Sequence, residues 1–369
     1  MKIILTGGGT AGHVNPAIAI AQIIKENQKD AEIIFVGNED GIENRLVSEA
    51  SFPIRYTKSR GVNKKLSLGS IYALWLAFYS PIKAKGIIKS FKPDIIIGTG
   101  GHVCWPIMKA GASLGIPMIL HESNAIPGVA VKMLEDKVDK VLLNFKESAD
   151  SLRHPEKSVV VGNPLRRGFR LGNREKARKE LGIAENERLI LSFGGSLGAL
   201  EVNNACLSMM ADYVEKSENL VHVHASGVKN YKECKEKFDS LIKKPSRKTQ
   251  LLEYIDDMPS FMSAADVVIS RAGAMSLSEI ALMEKASVLI PSPNVANNHQ
   301  YKNAKALADK NAAVLLEEKN LTPESLTLAV KGILENEERK NELEKNVSLF
   351  ALEDANRRVY EEIISTIKK

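Results

Sequence analysis

Gly7-Gly8-Gly9-Thr10-Ala11-Gly12 ends in His13 and follows directly on the apolar run Lys2–Thr6. A glycine turn that presents a histidine at its tip is a candidate functional loop; the competing reading is an N-terminal loop histidine satisfied by backbone. Gly7, Gly9 and Gly12 satisfy G-x-G-x-x-G, a weak signal by itself. Asn15 is a good N-cap and Pro16 a good first helical residue. The helix is therefore expected to start near Pro16, with His13 at the tip of a loop longer than a dinucleotide fingerprint allows. No Lys-Ser/Thr follows, so the turn is not a P-loop.

Two further apolar runs end in polar residues. Asp94–Gly98 leads into Thr99-Gly100-Gly101-His102, and Pro117–His121 into Glu122-Ser123-Asn124-Ala125-Ile126-Pro127-Gly128. His13, His102, His121, Glu122 and Asn124 are expected on one rim. Histidines from three loops, with no i,i+4 pair and no surrounding acids, make a poor metal site, and no metal is expected. A polar, glycine-lined acceptor pocket fits them better.

The later half offers a second set. Gly194-Gly195-Ser196-Leu197-Gly198-Ala199 can wrap a phosphate with its N–H groups and the Ser196 hydroxyl. Ser270-Arg271-Ala272-Gly273 opens a helix at Ala274, Met275, Ser276, Leu277, Ser278 and Glu279. Its small residues let a ligand reach the helix N-terminus, whose partial positive charge favours phosphate. Glu279, one turn in, can accept two hydroxyl hydrogen bonds from a ribose, as an acid does in dinucleotide folds. The competing reading is a first-turn acid that favours the helix dipole. The stretch Pro291–Ala304 is bounded by proline and rich in amides, Gln300 among them, which suit sugar hydroxyls.

Such loops need strands and helices to hold them. Short apolar, β-branched runs alternate with amphipathic helical stretches along the whole chain, the rhythm of βαβ units and parallel sheets. The strand, glycine turn and helix at Ile3–Gly12 recur at Leu189–Ala199. Two similar Rossmann-like, doubly wound α/β domains follow. Ligands sit outside the carboxyl ends of such strands, so two facing parallel-sheet domains make an interdomain cleft. The boundary falls in Gly162–Phe169: an N-terminal domain over 1–162, a C-terminal domain over 163–350, and a last helix in 351–369 that packs back on the first.

Of 369 residues, 44% are hydrophobic and 26% charged, the composition of an ordinary soluble globular protein. Cys104, Cys206 and Cys234 are odd in number and widely spaced, which excludes a disulfide scaffold and a Cys-type zinc site and fits a reducing compartment. No secretory signal is expected ahead of the first strand, and no apolar run approaches the ~20 residues of a membrane span. The net charge of +6 is concentrated, because residues 51–110 hold ten Lys/Arg against one acid. An anionic surface is the expected partner; nucleic acid is not, since stacked aromatic readout motifs are missing. Within this segment Leu68, Ile71, Tyr72, Trp75, Phe78, Tyr79 and Ile82 fall on one side of a helix, beside Lys64, Lys65 and Lys83. Ile71, Trp75, Phe78, Tyr79 and Lys83 are the expected contacts with anionic inner-leaflet phospholipid. The competing reading is that this face is core.

The set Gly8–His13, His121–Gly128, Gly162-Asn163-Pro164-Leu165-Arg166, Gly194–Ala199, Arg271–Glu279 and Asn298–Asn303 closely resembles the MurG family, the peptidoglycan N-acetylglucosaminyltransferases of bacteria. The motifs come in family order and span residues 1–303. Ala11 stands where many members have glycine, and Leu197 where many have glutamine. The resemblance implies a GT-B fold without a cofactor. It implies transfer of N-acetylglucosamine from UDP-N-acetylglucosamine to the C4 hydroxyl of undecaprenyl-pyrophosphoryl-N-acetylmuramoyl-pentapeptide (lipid I), giving lipid II, at the cytoplasmic face of the plasma membrane. Donor contacts carried over are Thr10, Ala11, Gly12, Asn124, Arg166, Ser196, Ile255, Ala274, Met275, Ser276, Leu277, Ser278, Glu279 and Gln300. His13 becomes a candidate base or a ligand of the acceptor's phosphate. Cell-wall synthesis proteins are candidate partners. A sugar-nucleotide epimerase is a rival, since it shares architecture and donor.

Overall fold

Runs such as Ile3-Ile4-Leu5, Ile95-Ile96-Ile97 and Val267-Val268-Ile269 are apolar at every position and wholly buried. Parallel strands covered on both faces have this composition. A computed structural model describes residues 1–61, 68–165, 168–169, 173–195, 197–244, 246–295 and 298–368, with backbone alone for 68–74. The chain divides into two units, residues 1–166 with 352–369, and residues 167–351.

The first unit runs β1 (Lys2–Thr6), α1 (Ala11–Asn27), β2 (Glu32–Gly37), α2 (Ile42–Glu49), β3 (Ile54–Tyr56), α3 (Leu68–Phe91), β4 (Ile95–Gly98), α4 (Cys104–Ser113), β5 (Met118–Glu122), α5 (Val129–Leu134), β6 (Lys140–Leu143) and β7 (Ser158–Val160). Among the described residues its sheet has seven strands in the order β3-β2-β1-β4-β5-β6-β7, paired in parallel.

The second unit runs α6 (Arg174–Glu180), β8 (Arg188–Phe193), α7 (Leu200–Met209), β9 (Leu220–Ala225), α8 (Tyr231–Leu241), β10 (Thr249–Leu252), α9 (Met258–Ala264), β11 (Val267–Ser270), α10 (Ala274–Leu282), β12 (Ser287–Leu289), α11 (His299–Ala308), β13 (Val314–Leu315), α12 (Pro323–Leu334) and α13 (Glu337–Ser348). Its described strands form a parallel sheet in the order β10-β9-β8-β11-β12-β13.

The last helix, α14 (Ala355–Ile367), returns to the first unit. There Val359 and Ile363 share a core with Ile20 and Ile24 of α1 and Val47 of α2, while α3, α4 and α5 cover the opposite face of that sheet. In the second unit, Val202 and Cys206 of α7 pack with Leu326 and Val330 of α12 over one sheet face. Near the start of β11 the buried Asp266 carboxylate accepts from Arg174 (2.6 Å), Arg178 (3.2 Å) and the Leu189 amide (2.8 Å).

Two departures from expectation concern the start of α1. It begins at Ala11, so Pro16 lies in its second turn. Gly9 turns sharply at φ +81°, which glycine allows, and sets Thr10 in extended backbone as the N-cap. The Thr10 carbonyl then accepts from the His13 and Val14 amides at 3.1 and 3.3 Å. His13 is accordingly the third residue of a helix, not the tip of a long loop, and Gly12 sits inside the first turn as in a dinucleotide fold.

Candidate active site

In each sheet the chain leaves one central strand in one direction and the neighbouring strand lies on the other side. These switch points fall between β1 and β4 in the first unit and between β8 and β11 in the second. Loops part there and leave a crevice beyond the strand ends.

At the first crevice the glycine turn after β1 meets the turn after β4. Gly8 N donates to Gly100 O (3.4 Å), and Thr99 Oγ1 donates to the His13 carbonyl (2.6 Å). A Cβ on Gly101 would lie 2.0 Å from Gly8 O, and one on Gly100 would lie 2.7 Å from the His13 ring. Only glycine permits this approach. The half-buried His13 ring has Nδ1 3.2 Å from Gly8 O and 3.0 Å from Thr10 Oγ1. A carbonyl can only accept, so Nδ1 carries the proton. The lone pair of the neutral ring is then on Nε2, the atom a general base uses.

His102 packs against Gly9, whose Cβ would lie 2.8 Å from its Cε1, and its Nε2 lies 3.5 Å from Asn38 Nδ2. Burial lowers its pKa, opposed by the negative charge of Glu43. His121 is not on the rim. β5 runs on through Glu122, so residue 121 is inside the sheet, fully buried, with Nε2 3.1 Å from Gly162 O. Burial pushes its pKa down to about 4. Glu122 is buried too, and burial raises its pKa although hydrogen bonds oppose the shift. Its carboxylate accepts from Asn124 N and Nδ2, both at 2.9 Å, and from Gly128 N at 2.7 Å. Asn124 is thereby held at a fixed place in the loop. His13, His102 and His121 do not bring their nitrogens together as a metal set.

At the second crevice the glycine turn after β8 meets the turn after β9. Gly195 and Gly198 have φ of +91° and +82°. A Cβ on Gly195 or Gly273 would meet nothing within 4 Å, so glycine leaves open space there. Gly273 is the N-cap of α10. In the carried-over stretch Ala274, Leu277 and Glu279 are buried, and Met275, Ser276 and Ser278 are half-buried. Leu277 is 2% exposed and belongs to the core, so a ligand would meet its backbone at most. Glu279 lies in the second turn, beyond the dipole-favoured first turn.

The surrounding loops are pinned. Arg271 donates to Ile290 O (3.1 Å) and pairs with Glu318. Asn303 Nδ2 donates to Ala272 O at 3.3 Å. Gln300 Oε1 accepts from Ser292 N at 2.9 Å, which directs the rest of the amide. Ile255 is buried just before α9, whose first turn is capped by Asp257. Arg166 and Ser196 lie outside the described residues, and of Ile71 only the backbone is described.

Sequence reasoning missed a buried polar chain that links β8, β9 and α7. Ser192 Oγ lies 2.6 Å from His222 Nε2 and 2.7 Å from His224 Nδ1, and His224 Nε2 lies 3.2 Å from Asn203 Oδ1. Asn203 Nδ2 donates to the Ser226 carbonyl at 2.9 Å. The amide oxygen fixes the His224 proton on Nε2, so His224 Nδ1 accepts from Ser192. Cys206, His222 and His224 bring potential metal-ligand atoms within 4.8 Å of one another, all buried. The serine hydroxyl already bridges the two imidazoles of that group.

Two doubly wound units with glycine turns at their switch points have the architecture of the GT-B fold. The glycosyltransferase family 28 N-terminal domain matches residues 3–143 and the family 28 C-terminal domain residues 189–359, and the chain belongs to this family. It is 40% identical to the UDP-N-acetylglucosamine–N-acetylmuramyl-(pentapeptide) pyrophosphoryl-undecaprenol N-acetylglucosamine transferase of Acetivibrio thermocellus, over 100% of this chain and 99% of that one. The transferase of the same name from Clostridioides difficile is 39% identical over 99% of this chain and 88% of its own length. The crystal structure of Acinetobacter baumannii MurG matches with a TM-score of 0.76 at 27% identity, covering 99% of both chains. A UDP-GlcNAc 2-epimerase from Neisseria meningitidis bound to UDP-GlcNAc shares the fold alone: TM-score 0.65, 12% identity, 99% of this chain and 100% of that one.

Proposed function

We propose that the chain transfers N-acetylglucosamine from UDP-N-acetylglucosamine to the C4 hydroxyl of lipid I, giving lipid II with inversion at the anomeric carbon. The observation that carries this reading is 40% identity, end to end, to a transferase named for that chemistry. An α-linked donor and a β-linked product require one in-line displacement. The acceptor oxygen bonds to C1 as the bond from C1 to phosphate breaks, the hydroxyl proton passes to a base, and UDP leaves with the charge.

In this reading residues 167–351 hold the donor. Glu279 accepts the ribose hydroxyls, and Ile255 borders the uracil. The Gly194–Ala199 turn with Ser196, together with the start of α10, stabilises the departing diphosphate through N–H groups and the helix dipole. Gln300 and Arg166 meet the sugar and phosphate side. Residues 1–166 handle the acceptor, with His13 Nε2 as the base or as a ligand of acceptor phosphate; the family resemblance adds Thr10, Ala11, Gly12 and Asn124 to the donor contacts.

Among the described residues no helix is long and apolar enough to cross a membrane. We read α3 as the docking helix on the anionic cytoplasmic leaflet. Leu76, Ala84, Ile88 and Phe91 are its buried side, whereas Trp75, Phe78, Tyr79 and Ile82 are 54%, 83%, 54% and 65% exposed, with Lys83 and Lys89 beside them. Such a surface suits aromatic rings at a headgroup boundary and lysines over anionic lipid.

The test is incubation with UDP-N-acetylglucosamine and a short-chain lipid I analogue, with lipid II read by mass. Release of UDP should depend on the acceptor. Turnover of donor alone would favour the epimerase, and no disaccharide under any detergent condition would overturn the transferase.

A further inference from the structure

Glu43, in the first turn of α2, is 1% exposed. Its carboxylate accepts from the Gly9 amide at 3.2 Å through Oε2 and from the Asn38 amide at 2.9 Å through Oε1. Three glycines from separate places make room for it. A Cβ on Gly8 would lie 2.6 Å from its carboxyl carbon, one on Gly37 2.6 Å from its Cγ, and one on Gly41 2.2 Å from Oε1. Gly8, at the turn below His13, is therefore glycine in part because a carboxylate lies against it.

The contacts continue outward from this carboxylate. Asn38 Oδ1 accepts from Ser59 N (2.9 Å) and Oγ (3.0 Å), and Asn38 Nδ2 reaches Ser59 O (2.9 Å) and His102 Nε2 (3.5 Å). His102 in turn lies on Gly9. On the other side of the turn, Gly8 O faces His13 Nδ1, and the Gly9 turn delivers Thr10 as the cap of α1. A free glycine turn of this shape offers its N–H groups to a phosphate. Here the Gly9 N–H already points at an internal anion.

We propose that Glu43 is a positioning residue for transfer: its buried carboxylate takes the place of a bound anion at Gly9 and fixes the turn that sets His13. The inference rests on the transferase reading and deepens it. A ligand phosphate is thereby turned away from the Gly9 side of the turn and left to the first-turn amides of α1 and to His13.

The test uses the full chain with Glu43→Gln, which keeps the shape but replaces one accepting oxygen with a donor. One of the two amides, Gly9 or Asn38, then faces an N–H group. Expected results are an unchanged melting temperature within a few degrees, a donor KM within about 2-fold of wild type, and a kcat lowered at least 10-fold. In the His13→Ala background, Glu43→Gln should cost little more. Hydrogen exchange at the Gly9 or Asn38 amide should quicken by about 10-fold or more, a readout that needs no turnover. Wild-type kcat in Glu43→Gln would overturn the proposal. So would losses that multiply in the double variant, or a donor KM that rises in step with lost stability. Should wild type itself make no disaccharide, the transferase reading fails, and the exchange measurement still decides the anchoring of Gly9.

Discussion

The carbonyl oxygen of Ser226 lies 1.9 Å from where a Cβ of Gly198 would be. The turns after β8 and β9 thus touch backbone to backbone. Gly198 also has φ +82°, which costs any other residue about 1–2 kcal/mol. Gly198→Ala should destabilise the protein by at least that amount and weaken UDP binding. Gly273→Ala is the contrast, since its Cβ meets only open space. It should cost only the N-cap preference for glycine over alanine, about 1 kcal/mol or less, while lowering donor affinity. Thermal denaturation and calorimetric UDP titration measure both variants.

Glu279→Ala removes the proposed acceptor of two ribose hydroxyls. Hydrogen bonds to a charged group contribute roughly 1.5–3 kcal/mol each. Donor KM should rise by about two to four orders of magnitude, with little change in the melting curve. Wild type should discriminate strongly against a 2′-deoxy-UDP-sugar. Equal use of both donors would remove Glu279 from the ribose.

His13→Ala should lower kcat by about 10²–10⁴-fold, the usual range for general-base help, while UDP binding persists. An unaltered kcat would leave His13 a first-turn residue with a structural role in the glycine turn, through Gly8 and Thr10.

Vesicle flotation tests α3. Binding to anionic vesicles should fall with added salt, as each lysine near the surface contributes about 1 kcal/mol. Trp75→Ser with Phe78→Ser should abolish binding with fold and UDP affinity intact. Unfolding of the double variant would mean that these rings support the fold.

Acid should weaken the fold through three fully buried histidines, His222 among them, whose pKa burial holds well below the usual value. His121 and His224 are buried and neutral, each with its pKa pushed down by burial to about 4. Unfolding returns them to the ordinary value near 6.5, so between pH 6.5 and 4 the unfolded chain binds more protons. Their contribution is complete above pH 6.5 and is lost as pH falls towards 4, on the order of 3 kcal/mol each. Urea midpoints across this range should fall, and His121→Gln should flatten part of the slope.

The α/β rhythm was legible because central parallel strands are apolar at every residue and the helices between them are amphipathic. β3 and β10 lack this signal for the opposite reason. Ile54-Arg55-Tyr56 and Thr249-Gln250-Leu251-Leu252 are short outermost strands that mix polar with apolar residues. Pro16 misplaced the start of α1 because a proline in the second turn looks, in sequence, like one in the first. The glycine turns, Asn124 and Glu279 could be found from their position after strands. Glu43 could not, since its partners are backbone amides of Gly9 and Asn38, which only the fold brings together. His121 was visible as a residue type, but whether it faced the crevice depended on how far β5 ran.

The return of α14 to the first unit has a consequence for how the chain is made. Residues 167–351 are contiguous and can complete their core as soon as they leave the ribosome. The first unit, begun earlier, still lacks Val359 and Ile363 over α1 until the last residues are synthesised. For most of translation, then, Ile20 and Ile24 lack the apolar cover that α14 supplies in the folded protein. Deletion of α14 would leave that side of α1 uncovered and should favour proteolysis or aggregation over a stable fragment.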